Sequence, residues 1–401
     1  MPESADQAAA HQQPHHLSRG LLAVLTVSTG LAVANTYYNQ PMLGLFIRDF
    51  NAEPQDVALM PFLCQIGYAI GLFFLSPLGD RIERKKLILL TLIGLSIALA
   101  GAALAPSLFW LGVASLVIGI LTTVVQQIVP LAVHLASPEE RGKVVGTVTG
   151  GLLAGILLAR TLSGYVSDQL HWRTMFGIAA GLMLLLVVVL GAVLPRVPAV
   201  TRMGYGQILL SLFSFWRRFR ALRLAGLCQA MIFACFAAFW ANLALEMRLP
   251  PYNLGATAVG LMGLIGGVGV LAAPIAGRIA DRRGPQAVVS LSALLVLMSF
   301  LLFAFVQGSM TALIIGVVAM DLGVQAALVS NQSSIYALDP TARSRLNTVF
   351  MTTMFCGGAI GSATGGAAFS AWGWTGTCGV AIVAATMALI LSRLKRHRPA
   401  G

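Results

Sequence analysis

Residues 76–86 read SPLGDRIERKK, and residues 277–286 read GRIADRRGPQ. Each stretch is a short charged break between long apolar runs. Asp80 and Asp281 fall in register at an offset of 201 residues. Pro138 and Pro340, Arg141 and Arg343, Gly164 and Gly366, and Trp172 and Trp374 repeat at an offset of 202. Matches at one spacing over about a hundred residues mark an internal duplication.

The apolar runs around these breaks predict six helices in each half. They fall at 20–45, 57–78, 87–105, 108–132, 143–166 and 174–194, then at 224–247, 255–277, 287–306, 310–336, 344–370 and 373–393. A helix needs about 20 apolar residues to cross a bilayer, and each run supplies close to that. The first run is long enough to kink, at Pro41. Composition agrees: 57% of the residues are hydrophobic and 10% are charged. A water-facing domain carries roughly 25% charged residues, so most of this surface faces lipid.

The net charge of +12 does not indicate nucleic acid, because the cations sit between the apolar runs. Of the 26 lysines and arginines, 22 fall on the face that holds the N-terminus. Arg48, Arg173 and Arg248 fall on the other face, and Arg160 falls inside a span. Positive loops mark the cytoplasmic side, so both termini are expected in the cytoplasm of a bacterium, with the chain in the inner membrane. The expected partners are the lipid bilayer and a small-molecule substrate, and the chain is expected to be a monomer.

The chain divides into a polar tail at 1–18, a bundle at 19–194, a connection at 195–223, a second bundle at 224–394 and a basic tail at 395–401. The first tail reads as disordered, and His11, His15 and His16 belong to it rather than to a metal site. The connection mixes Ile208, Leu209, Leu212, Phe213, Phe215, Trp216 and Phe219 with arginines, the pattern of a helix lying on a membrane face. Cys64, Cys228, Cys235, Cys356 and Cys378 all lie in apolar runs and read as small hydrophobes, not disulfides.

Polar residues are costly inside a bilayer, so their placement carries information. Spans three, six, nine and twelve are nearly free of them and read as lipid-facing. Spans one, four, seven and ten are not. The first holds Asn35, Thr36, Tyr37, Tyr38, Asn39 and Gln40; the fourth Thr122, Thr123, Gln126 and Gln127; the seventh Gln229, Trp240, Asn242 and Glu246; the tenth Asp321, Gln325, Ser330, Asn331 and Gln332. Asp321, Gln325, Leu328 and Gln332 share one helical face, as do Asn35, Tyr38 and Asn39. These faces read as a substrate path, with interhelical hydrogen bonding the alternative use of any single amide.

Asp321 lies 11 residues into the tenth span, about 16 Å deep at 1.5 Å per residue and so near the middle of a 30 Å core. A carboxyl there could take a proton from one side and release it on the other. Binding a cationic substrate and pairing with Arg160 are the rival uses. Arg160 breaks the internal symmetry, because its repeat partner is Ser362. It either snorkels towards the nearer face or serves the interior, binding an anion or pairing with Asp321 or Glu246.

The loop at 76–86 resembles the signature of the major facilitator superfamily, G-x-x-x-D-R-x-G-R-K. Asp80, Arg81, Arg84 and Lys85 match it, and Ser76 and Glu83 replace its two glycines. The second copy supplies Gly277, Asp281, Arg282 and Gly284, then departs at Pro285 and Gln286. YYNQP at 37–41 and ARTLSGYVSDQLHWR at 159–173 are similar to the twelve-helix efflux branch, the arabinose-efflux-like and drug:proton antiporter-like permeases. The resemblance implies an all-α membrane fold of twelve transmembrane helices in two pseudo-symmetric six-helix bundles. It also implies that spans one, four, seven and ten line a central cavity. Asp80 and Asp281 would then latch the cytoplasmic side by pairing with a neighbouring helix end or its arginine.

Two departures from that family stand out. Many proton-coupled relatives carry an arginine before a glycine in the fourth helix, where Ser115 stands four residues before Gly119. The fifth-helix antiporter motif includes Gly-Pro, whereas Gly146, Gly150, Gly151 and Gly155 here come without the proline.

The function expected is secondary transport of a small organic solute by alternating access between the halves, with proton-coupled efflux ahead of proton-linked uptake. A non-transporting sensor would be expected to carry an added soluble domain. A membrane enzyme is disfavoured, because no paired metal ligands, nucleophile elbow or Walker-type loop appears. No cofactor beyond a proton gradient is expected.

Overall fold

A computed structural model describes residues 17–137, 139–197, 204–267, 284–339 and 342–394. Helices make up nearly all of it. Nine are long and apolar enough to cross a membrane among the described residues. One of these, Arg343–Arg393, has 51 residues. A straight helix of that length would reach about 76 Å, more than twice a bilayer core. The chain instead breaks at Trp372 and at Gly373, whose φ is +60°. A side chain is strained there and glycine is not. The break makes two antiparallel spans of this segment, the eleventh and twelfth.

The first span is the one most altered from its expected form. It runs as Arg19–Ala34, passes through turns and a 3-10 segment at Gln40–Met42, and resumes as Leu43–Phe50. Pro41 cannot donate to a helical ladder and would clash with the carbonyl four residues earlier. Asn35 moves the break earlier still, because its Nδ2 donates to the carbonyls of Leu31 and Ala32 at 3.0 and 2.9 Å. The kink expected at Pro41 is therefore an interruption of the α-helix over residues 35–42. The fourth span is also divided, into Leu108–Thr122 and Val125–Leu135. Thr122 and Thr123 donate to Ile118 and Ile120 carbonyls on the approach, bonding that bends helices. The seventh span begins at Arg220 rather than 224 and directly follows a helix at Tyr205–Arg218. The eighth is described only from Ala256 to Gly267.

The remaining spans are Pro54–Phe74, Arg84–Ala103, Arg141–Gln169, Trp172–Val193, Pro285–Phe305 and Met310–Tyr336. The sixth exposes Leu184, Leu185 and Val188, the third Leu90 and Ile97, the ninth Leu291 and Met298, and the twelfth Val383 and Met387. These outward rows suit lipid. The seventh span is buried almost from end to end, with Cys228, Ile232, Cys235, Phe239, Trp240 and Leu243 at 0% exposure. It therefore forms an axis of the molecule.

The duplication is visible in how the halves meet. Gly164 on the fifth span lies against Ala256 at the start of the eighth. Its repeat partner, Gly366 on the eleventh span, lies against Ala58 near the start of the second. A methyl group on either glycine would collide with the opposite half, so both halves close on each other through equivalent small residues. Within each half, Gly155 packs on Gly30 and its counterpart Gly357 packs on Ala230, joining span one to five and seven to eleven.

Candidate functional site

The interruption of the first span places Tyr37, Tyr38, Asn39 and Gln40 at the centre of the molecule, all buried. Arg160 reaches them from the fifth span. It is 1% exposed, so it turns inward and does not snorkel. Its Nε donates to Gln40 Oε1 at 2.8 Å. Its guanidinium carbon lies 4.1 Å from the Trp240 ring centroid, 4.8 Å from Tyr37 and 5.4 Å from Phe236. Three aromatic rings from spans one and seven thus surround a buried cation, an arrangement worth about 2 kcal/mol or more per contact once water is excluded.

Asp321 meets the same cluster from the tenth span. It is 7% exposed and close enough to Arg160 for each charge to act on the other. No direct ion pair forms between them among the described residues. The Trp240 indole N–H faces the Asp321 carboxyl. Even so, Trp240 Nε1 and Asp321 Oδ1 both lack a hydrogen-bond partner of ordinary geometry, as does Arg160 Nη2. Asn35 Oδ1, Thr36 Oγ1 and Asn39 Oδ1 are also unpartnered. Buried polar atoms are nearly always bonded, so this concentration of unmet donors and acceptors marks a place for a ligand or water.

The eighth span makes room for both charges. The stem of Arg160 lies on Gly263, and the backbone of Arg160 lies on Gly260. A methyl group on Gly266 would strike Asp321 Oδ2. These glycines recur every three residues on one helical face. Their spacing is legible in the sequence, but their partners are not.

Glu246, grouped with Arg160 and Asp321 on sequence grounds, is not brought to them. It ends the seventh helix, about 9 Å beyond Trp240 along the axis, with Tyr252 and Cys378 as neighbours. Several expected cavity residues are occupied elsewhere. Gln127 donates to the Leu75 and Ser76 carbonyls at 3.0 and 3.1 Å and so caps the second span. Asn331 donates to Gln229 at 3.0 Å, tying span ten to seven. Gln332 donates to Asn347 at 3.2 Å. Asn242 donates to the Ala238 carbonyl and leaves its Oδ1 free. Thr123 bonds its own helix, and Gln325 is half-buried on the tenth span. Gln126 donates to the Tyr68 hydroxyl at 3.2 Å, and Tyr68 stacks on Phe355 of the other half with centroids 4.2 Å apart.

On the face away from the N-terminus the halves are bolted together. Asp168 Oδ2 accepts from the Thr257 N–H and from Thr257 Oγ1, both at 2.7 Å, and Oδ1 accepts from the Ala256 N–H at 3.3 Å. A carboxylate at a helix N-terminus is favoured by the free N–H groups and the dipole. Thr161 Oγ1 donates to the Gly260 carbonyl at 2.9 Å, and Arg248 donates to the Gly44 carbonyl. On the opposite face, Lys85 Nζ donates to the Leu194 carbonyl at 2.7 Å and Arg84 Nε to the Gly79 carbonyl at 3.3 Å, both within the first half. Arg81 is exposed. The Asp80 side chain, Asp281 and Arg282 lie outside the described residues, and so does the latch expected of them.

The model of the Major Facilitator Superfamily matches residues 25–337 and 252–401. The transporter YgaY of Escherichia coli is 40% identical over 380 residues, which cover 94% of this chain and 95% of that one. The multi-drug resistance efflux pump PmrA of Streptococcus pneumoniae is 26% identical over 140 residues, 34% of this chain and 35% of PmrA. Among solved structures, a bacterial homologue of the human lysosomal transporter Spinster, inward-facing and occupied, superposes with a TM-score of 0.75 at 14% identity, over 95% of this chain and 98% of that one.

Proposed function

The chain belongs to the Major Facilitator Superfamily and is a multi-pass membrane transporter, and from that premise we propose proton-coupled efflux of a small organic solute across the bacterial inner membrane. The observation that carries this reading is the meeting of Arg160 from one half and Asp321 from the other at mid-depth, buried among unmet polar atoms. A site made by both halves is dismantled when they rock apart, so occupancy and conformation are coupled. Asp321 carries the proton, and Arg160 sets the charge that the carboxyl feels. The amide and aromatic residues of the broken first span and of span seven hold the solute. The efflux direction draws support from the partial similarity to PmrA and from the resemblance at residues 37–41 and 159–173.

The face opposite the termini, here the periplasmic one, is sealed by Asp168, Thr257 and the paired glycines. Opening to that side requires breaking the Asp168 contacts, and opening to the cytoplasm requires parting Tyr68 from Phe355. The cytoplasmic loops at Asp80 and Asp281 act as the opposing latch, with both termini on that side.

Proteoliposomes with an imposed pH gradient test the assignment. A gradient acid outside relative to the transporter's cytoplasmic face should drive solute out, and Asp321→Asn should abolish the drive while leaving the protein folded. Proton-independent flux in the wild type, or gradient-driven flux retained by Asp321→Asn, overturns it. Solute accumulating down the gradient would reassign the direction to uptake.

A further inference from the structure

We propose that the solute is an organic carboxylate whose anionic group docks on the free edge of Arg160, an inference that rests on the central site being the transport site. Three features of the cluster point to an anion. The first is the guanidinium itself. Trp240 and Tyr37 lie against it, with ring centroids 4.1 and 4.8 Å from its central carbon, and its Nε is held by Gln40. Those ring contacts and that one bond hold it in place, and its Nη2 donor is left unpartnered in a site 1% exposed. An oriented arginine edge matches the two oxygens of a carboxylate, which it binds with shorter and stronger hydrogen bonds than a neutral acceptor receives.

The second feature is a second unmet donor. Trp240 Nε1 lies in the same cluster, fully buried and without a partner. An indole N–H donates only, and the Asp321 carboxyl that it faces does not meet it in ordinary geometry, which leaves it open to an acceptor on the ligand. Arg160 and Trp240 together present donors from both halves of the molecule. The third feature is exclusion. A cationic group placed about 6 Å from Arg160 would be disfavoured by roughly a hundredfold at an effective dielectric of about 20. In the state in which Asp321 carries its proton, no opposite charge among the described residues of the cluster offsets this.

Phe236, Trp240 and Tyr37 supply the apolar wall around the charged edge. The preferred solute therefore carries one carboxylate on an apolar or aromatic body. The unpartnered carbonyl oxygens of Asn35 and Asn39 would receive a hydroxyl or amine hydrogen on that body.

The test uses the purified full-length protein and three matched probes: benzoate, benzamide and benzylammonium. Thermal stabilisation and displacement calorimetry should rank benzoate above benzamide by about tenfold, the share of one charge-assisted hydrogen bond, and above benzylammonium by about a hundredfold. Arg160→Lys should keep the rank with weaker binding, and Arg160→Gln should erase the preference for benzoate. Benzylammonium binding best, or three probes alike (including no stabilisation by any), overturns the anion assignment; the wild-type ranking stands as a test even where a variant fails to fold. If the anion fails while Asp321→Asn still abolishes proton-driven flux, the transport site survives and only the substrate class falls. If Asp321→Asn leaves flux intact, the site itself is wrong.

Discussion

Gly119 and Asp321 occupy equivalent positions in the two halves, 202 residues apart, and they do opposite things. Gly119 on the fourth span lies directly on the backbone of Cys64 on the second. Asp321 on the tenth span lies on Gly266 of the eighth. In the first half the fourth span is trimmed and the second keeps its side chain. In the second half the eighth span is trimmed and the tenth carries a carboxyl. Both helix pairs stay close, but the second places a carboxyl between its helices where the first has a glycine. Arg160 and Ser362 show the same division in reverse: the first half carries the cation, and the second a buried serine whose hydroxyl is unpartnered. The duplication thus supplies a symmetric frame, and one charge from each half breaks it at the centre.

The sharpest way to break this comparison is Asp321→Asn, for which gradient-driven flux should fall to background and the melting temperature should drop, since Arg160 is left as a buried cation without its opposite charge. Next come matched methyl additions. Gly119→Ala pushes into the Cys64 backbone, which cannot move aside, and should cost about 1–3 kcal/mol or more, read as a lower melting temperature with unchanged flux per folded molecule. Gly266→Ala pushes on the end of the Asp321 side chain instead, and should cost less stability but lower flux several-fold. Equal loss of stability with no difference in flux would remove the distinction drawn between the two positions.

Gln40→Ala sharpens the role of the other charge. Removing the acceptor of the Arg160 Nε hydrogen bond should cost about 1.5–3 kcal/mol, and Gln40→Glu should restore stability while neutralising the arginine and weakening any anion binding. The smallest effect is expected far from the centre. Asp49 accepts from Trp172 at 2.7 Å and pairs with His171 at 3.0 Å and Arg173 at 3.5 Å. Asp49→Asn keeps an acceptor for the indole but loses the charge, and should lower stability by about 1 kcal/mol. That loss should shrink in high salt, because exposed pairs are screened.

Much of the centre is legible in the sequence. Arg160 and Asp321 stood out because ionisable residues inside a bilayer are expensive and must have a use. Trp172 and Trp374 were paired by the repeat. In the structure Trp172 packs on Phe46 and Trp374 on Phe239, each just after the turn that starts its span. Three amides show what the sequence leaves open. Gln127, Asn331 and Gln332 look like cavity residues by type and helix, but their amides satisfy backbone or side-chain partners on neighbouring spans. A sequence shows that a polar group must be satisfied, not by what. The same limit hid Asp168, whose partner Thr257 is 89 residues away.

The sequence by itself determined the transmembrane class, the duplication and the identity of the two buried charges. Hydrophobic length, loop charge and repeat spacing are written along one dimension, and lipid enforces them residue by residue. Only the tertiary structure decided that Arg160 turns inward into a cage of three rings, that Glu246 stays apart, and that Gly260, Gly263 and Gly266 clear the space. Those outcomes depend on which helices approach closely and on what angle, a property of packing between halves that no single span encodes.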